Sequence, residues 1–212
     1  MRPHWTGKRS IGCCLPAVLF TSLLATTMVV QAGEVSVFMS SAAVGGERLQ
    51  LNGSGSRYKS MFRVCDVALY TRSPVSDEQA LHALPGAKRL HLVAVRDIRS
   101  NELVHLLVRA AIELATADQA PVRAADMAQI ANRLAQPLQV QRGDSIGFDF
   151  VPGRGTQLWF NGDPLGPPLA DPALFQMLLG PWVGPQAADA PLKHALLGQT
   201  RHLVQPAPAA RR

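Results

Sequence analysis

Arg57 is the residue of this sequence whose setting most suggests chemistry. It closes the stretch "LNGSGSR" (residues 51–57), where Gly53 and Gly55 precede a permanent cation between two segments that read as β-strands. A guanidinium with glycines beside it has open space above it and can fork onto a carboxylate or a phenolate. The same residue type also serves as a surface strand position or a structural ion pair, and the local sequence leaves both readings open. A phosphate cradle is excluded by the order of elements. A dinucleotide fingerprint runs strand, glycines, helix, so that the helix N-terminus meets the phosphate, and here a strand follows the glycines.

The other reactive residue types are scattered. Beyond residue 32 the histidines are His82, His91, His105, His194 and His202, none at H-x-x-x-H or H-E-x-x-H spacing. His105 falls in an apolar helical segment and reads as a core histidine. No G-x-S-x-G elbow is present. Asp97 and Glu102 are carboxylates close to a strand-to-helix boundary, where the helix dipole favours acids. Arg96 and Arg99 flank them, which suggests a solvated, salt-bridged corner. Cys65 is the one cysteine after residue 32, so that part of the chain has neither an internal disulfide nor a cysteine metal site, and a lone thiol there is expected to be buried and inert. No metal and no cofactor are expected.

Residues 1–12 carry Arg2, Lys8 and Arg9 and no acid, and residues 13–30 are an apolar run followed by "QAGE". This pattern predicts a signal peptide cut after Ala32 and a periplasmic or otherwise exported protein. The alternative is a retained anchor, because 18 residues lie at the lower limit for a spanning helix. Of the 21 basic residues, three lie in this leader and three (Arg201, Arg211, Arg212) in the final segment, leaving 15 against 15 acids between residues 33 and 198. The high pI therefore gives no argument for a nucleic-acid partner. Residues 33–198 suit one domain with one sizeable core, and the Pro- and Ala-rich residues 199–212 read as a disordered tail.

Residues 35–39 alternate and suggest a short first strand, "GGE" at 45–47 a turn, and residues 60–71 and 89–95 longer strands. In this reading the glycines of "LNGSGSR" form a bend between strands. A buried helix is expected from Ser100 through "NELVHLLVRAAIELA". A second, over residues 123–138, sets Met127, Ile130, Ala131, Leu134 and Leu138 on one face. Period two returns at Ile146, Phe148 and Phe150, followed by a strand through Leu158 and Phe160 and by Asn161-Gly162, a type I′ hairpin signal. Asp171 with Pro172 marks the start of one late helix, and Gly198 the end of another. Strands, helices, a hairpin and helices again imply an α+β domain, with a largely antiparallel sheet covered on one face.

Five blocks in this order resemble the chalcone isomerase family, and within it the exported bacterial chalcone-isomerase-like proteins. They are "LNGSGSRYKSMFRVCDVALYT", "ALPGAKRLHLVAVRDI", "GDSIGFDFVPGRGTQLWFNGDPLG", "LFQMLLGPWVG" and "PLKHALLG", and together they cover about Arg48 to Gly198. The resemblance implies an open-faced β-sandwich with a ligand cleft between sheet and helices. It places Arg57 at the arginine that holds the reacting oxygens in the plant isomerases. Cys65 falls where those enzymes carry a threonine, Asn101 near their tyrosine and Val108 near their asparagine, and none of the three is the catalytic type. Relatives without isomerase activity use the same arginine to hold a fatty-acid carboxylate. Three readings follow. The first is a non-catalytic binder of a small apolar carboxylate or phenolic anion. Its ligand would meet Arg57, Tyr58, Met61, Cys65, Leu103 and Leu107, with Leu69, Leu106 and Ile112 as further apolar wall. The second is an isomerase acting on an enone-like substrate, with Arg57 stabilising the oxyanion. The third is an envelope protein without a ligand, in which Arg57 pairs with an internal acid.

Overall fold

The computed structural model describes residues 38–99, 101–105, 120–135, 139–187 and 189–199, all within one compact unit, Glu34–Arg212. Its main element is a seven-stranded antiparallel sheet. The strands are β1 (Ser41–Val44), β2 (Glu47–Lys59), β3 (Phe62–Thr71), β4 (Lys88–Ala94), β7 (Ser145–Val151), β8 (Gly155–Phe160) and β9 (Asp163–Pro164), neighbours in that order. A two-stranded ladder joins β5 (Ile98–Arg99) to β6 (Gln139–Val140). Helix α1 (Glu78–Ala83) links β3 to β4, and α2 (Ala120–Leu134) precedes β6. The chain closes with α3 (Pro172–Val183) and α4 (Ala190–Leu196). Residues 101–105 are helical. The architecture is the expected α+β open-faced sandwich.

Period two sets the layers. Along β4, Leu90, Leu92 and Ala94 point into the core, while Arg89, His91 and Val93 point the other way. The inner face packs Val67, Leu69, Phe148 and Leu158 against Ile130 and Leu134 of α2, Leu174 and Leu178 of α3, and Leu192 and Leu196 of α4. The outer face holds a smaller apolar cluster of Val44, Leu49, Ala68, Tyr70 and Ala87. It also carries buried charge that is paired. Arg89 forks onto Asp149 at 2.5 and 2.6 Å, and Arg63 onto Asp66 at 2.8 and 2.5 Å. Such bidentate pairs keep the desolvated carboxylates satisfied.

Several local signals hold as read. Gly45 and Gly46 turn β1 into β2 at φ 58° and 89°, and Asn161 and Gly162 both take positive φ, 51° and 89°. The Asp171 carboxylate accepts from Ala173 N at 2.9 Å with Pro172 in the first turn. Gly198 follows α4 at φ 70°. Other expectations shift. The first strand is Ser41–Val44 instead of 35–39, of which 35–37 lie outside the described residues. Helix α2 starts at Ala120 and keeps Met127, Ile130 and Leu134 buried, whereas Leu138 lies outside the described residues. Most of the helix expected from Ser100, the leader and the tail also lie outside them.

The stretch "LNGSGSR" is the main correction, because it is no bend. β2 runs through it unbroken, and the chain reverses only at Ser60 (φ 56°) and Met61. The register slips at Asn52, which stands between Leu51, paired with Tyr70, and Gly53, paired with Leu69. Asn52 is 4% exposed, and its amide donates to Leu196 O (2.7 Å) and Val75 O (3.0 Å) while accepting from Val75 N (2.8 Å). The glycines then let α4 lie directly on the strand. A Cβ at Gly53 would stand 1.9 Å from Ala195 O, and one at Gly55 would stand 3.0 Å from both Ala195 Cβ and Leu192 Cδ1. The first clash is with backbone and the second with side chains, so the two sites differ in tolerance. We expect Gly53→Ala to destabilise the fold by about 3 kcal/mol or more, the upper range of overpacking, and Gly55→Ala by about 1 kcal/mol. Urea denaturation of the two variants checks the order.

Candidate functional site

Beyond the glycines, β2 and β3 alternate faces towards their shared turn. Ser56 and Asp66 pair on the outer face, where the Ser56 hydroxyl donates to Asp66 at 2.7 Å. Arg57 and Cys65 pair on the inner face. A second slip in register follows, leaving Val64 as an extra residue of β3, so that Val64 and Cys65 in succession both reach the inner side. Arg57 thus stands just past the two glycines, at the point where α4 stops covering the sheet.

The space left there is a cavity of about 570 Å³. Its walls include Val64, Cys65, Leu92, Ala94 and Ile146 from the sheet, Ile98 and Val140 from the small ladder, Leu103 from the helical stretch 101–105, and Pro181 and Trp182 from α3. The polar lining is Arg57, Lys59, Glu102, His105, Asp144 and Gln186. A mostly apolar hollow with few polar groups is the general form of a small-molecule site.

Arg57 is partly buried in this wall. Its Cζ lies 5.4 Å from the centre of the Trp182 ring, a cation–π contact. Its Nη1 is sealed from solvent and has no hydrogen-bond partner among the described residues. A buried donor without an acceptor costs about 1–3 kcal/mol, and more when it is charged. The strand around it is held at both ends. Asn52 anchors one side, and on the other Tyr58 N donates to Asp189 Oδ2 at 3.3 Å while Asp189 Oδ1 caps α4 through Leu192 N at 3.0 Å. Lys59 pairs with Glu102 across the mouth at 3.3 Å.

Of the residues singled out from sequence, Arg57, Cys65 and Leu103 meet at the cavity. Tyr58 and Met61 do not line it. Tyr58 points to the outer face, 47% exposed, and Met61 sits on the turn, 83% exposed. Leu69 is fully buried in the core beside the cavity. Leu106, Leu107, Val108 and Ile112 lie outside the described residues. His105 is no core histidine; it is exposed and lines the mouth. The corner expected around Asp97 and Glu102 is tied differently, because Asp97 accepts from Gln139 and from Arg142 N, and Glu102 takes Lys59. Trp182 was missed. It stands far along the chain from Arg57 in an apolar helix, and nothing local in "LLGPWVG" marks it as a cation's neighbour.

Cys65 is a neutral part of the wall. Burial pushes its thiol up to about 12, against the opposing pull of the Arg57 guanidinium. A thiol at that value is neither nucleophile nor base near neutral pH. Among the described residues no group of histidine, cysteine and carboxylate side chains could hold a metal ion, and no helix is long and apolar enough to cross a membrane.

An antiparallel sheet with helices on one face, and a hollow between the layers with an arginine in its wall, define an open-faced β-sandwich with an internal cavity. The chain belongs to the chalcone isomerase-like family, whose model matches residues 31–198. Among solved structures it is similar to a fatty-acid binding protein of Arabidopsis thaliana, with a TM-score of 0.60 at 15% identity, covering 78% of this chain and 93% of that one. No curated protein matches the chain.

The state of Cys65 is directly testable. Iodoacetamide at pH 8 should leave Cys65 unmodified in the folded protein and alkylate it fully in urea, as read by peptide mass spectrometry. Rapid modification in the folded state would show the wall to be open or the thiol ionised.

Proposed function

We propose that this protein is a non-catalytic carrier of a small apolar anion, a fatty acid being the best-fitting class, and that it acts outside the cytoplasm after export. The observation that carries this reading is Arg57, whose side chain lines the wall of an apolar cavity and whose Nη1 has no hydrogen-bond partner among the described residues. A carboxylate entering there pairs with the guanidinium, and its chain replaces water along Val64, Leu92, Leu103, Ile146 and Trp182. Hydrogen bonds to charged groups contribute about 1.5–3 kcal/mol. Burial of the chain adds about 0.8 kcal/mol per methylene. The Arabidopsis protein of the same fold is a fatty-acid binding protein, which supports the ligand class.

The composition of the wall favours holding over turnover. Oxyanion catalysis needs several placed donors around the reacting oxygen. Next to Arg57 the wall offers the neutral thiol of Cys65 and aliphatic or indole surface. Of the other polar lining groups, Lys59 is paired with Glu102 and Asp144 accepts from Gln141 N and Asn161, which leaves His105 and Gln186 as the further side-chain donors. Asn101, where the resemblance places a tyrosine, does not line the cavity.

Native mass spectrometry of protein purified from its host should show a bound carboxylate. Arg57→Ala should lower laurate or palmitate affinity about 30-fold, the equivalent of about 2 kcal/mol for one charged contact. Arg57→Lys should fall between, since an ammonium cannot fork. Equal affinity in the parent and Arg57→Ala would remove the anchor from the reading. Arg57-dependent consumption of a hydroxychalcone would replace the carrier with an isomerase.

A further inference from the structure

The β2–β3 turn carries apolar side chains that the fold does not use. Among the described residues the exposed large hydrophobics are Met39, Tyr58, Met61 and Phe62, at 76, 47, 83 and 62% exposure. Single exposed apolar residues are ordinary on a protein surface. Here three of the four share one hairpin, and Met61 and Phe62 are adjacent at its tip. Ser60 turns the chain at φ 56°, so Met61 stands at the reversal itself and Phe62, the first residue of β3, stands beside it with its side chain exposed.

The tip adjoins the mouth of the cavity. Phe62 is the cross-strand partner of Lys59, and Lys59 lines the cavity. Strand alternation places Phe62 on the sheet face that forms the cavity wall. The neighbouring charges are already matched, Lys59 by Glu102 at 3.3 Å and Arg63 by Asp66 at 2.5 Å. The tip itself is therefore apolar with its nearest charges paired, Arg57 standing further back in the cavity wall, and Tyr58 carries a phenol suited to the headgroup level.

We infer that this hairpin is a bilayer-docking element: Met61 and Phe62 enter the outer acyl region of a phospholipid membrane and set the cavity mouth against the lipid surface. This rests on the carrier reading, in which the ligand is an apolar acid that resides in bilayers and must enter or leave the cavity there. The occupant is a lipid surface and not a protein groove, because the apolar groups protrude from a narrow turn. Insertion rather than charge drives the contact, so zwitterionic and anionic vesicles are bound alike and added salt has little effect.

Phe62→Trp gives a local readout. With phosphatidylcholine vesicles carrying brominated acyl chains, its emission should be quenched beyond that of the parent, whose tryptophans are Trp5, Trp159 and Trp182. The double variant Met61→Ser/Phe62→Ser should take up a fluorescent fatty acid from vesicles at least about tenfold more slowly, since two apolar anchors are lost. Its affinity for the same acid in vesicle-free buffer should match the parent's. No extra quenching in Phe62→Trp, or unchanged transfer in the double variant, overturns the inference. Loss of fatty-acid binding in buffer by the parent would instead strike the carrier reading, which keeps the two failures apart.

Discussion

The close approach of α4 to β2 at Gly53 and Gly55 is the constraint on which the rest of the structure depends. A helix can rest on a strand at backbone distance only where the strand has no side chains, and at Gly53 even one methyl carbon would collide with the carbonyl of Ala195. Asn52 locks this arrangement from within the same strand by bonding the carbonyl of Leu196. Glycine in a strand interior is otherwise unfavourable, because it adds entropy to the unfolded chain and packs nothing. Here the loss is offset by the burial of Leu192 and Leu196 over the sheet.

The cavity is the counterpart of that contact. Where α4 ends its cover, the next inward residue is Arg57, and the layer above it is supplied by α3 through Pro181 and Trp182. The guanidinium is left with an aromatic face on one side and, among the described residues, a donor without an acceptor. The fold holds this cation in place before any ligand arrives, through Asn52 behind it and Asp189 ahead. Preorganisation of that kind lowers the entropy lost on binding. The unpaired donor lowers folding stability, a cost that a satisfied or apolar residue at position 57 would relieve.

Much of the fold was legible in the sequence, where local chemistry decides local structure. Asn161-Gly162, Asp171-Pro172 and the alternation at Ile146, Phe148 and Phe150 each specify a conformation within a few residues, and each was found as read. Arg57 was legible as a candidate because of its glycines and of the blocks around it. The purpose of those glycines was not. Read locally they suggest a bend, and only the arrival of residues 190–196 turns them into a docking surface for a helix. Trp182 was hidden for the same reason. Tyr58 and Met61 were misplaced because sequence proximity to Arg57 says nothing about strand face or turn position. His105 faces the mouth of a cavity that the helical pattern alone could not reveal.

The most direct test of the carrier account is the ionisation of the bound ligand. A fatty acid labelled with ¹³C at its carboxyl can be titrated by NMR in complex with the protein. If the carboxylate lies on Arg57, the guanidinium favours its charged form, and its resonance should stay at the ionised position well below the ordinary carboxylate range. In the Arg57→Ala complex the same group, buried without a countercharge, should titrate above that range. A bound carboxyl that titrates at its ordinary value in both proteins would lie in solvent and contradict the account.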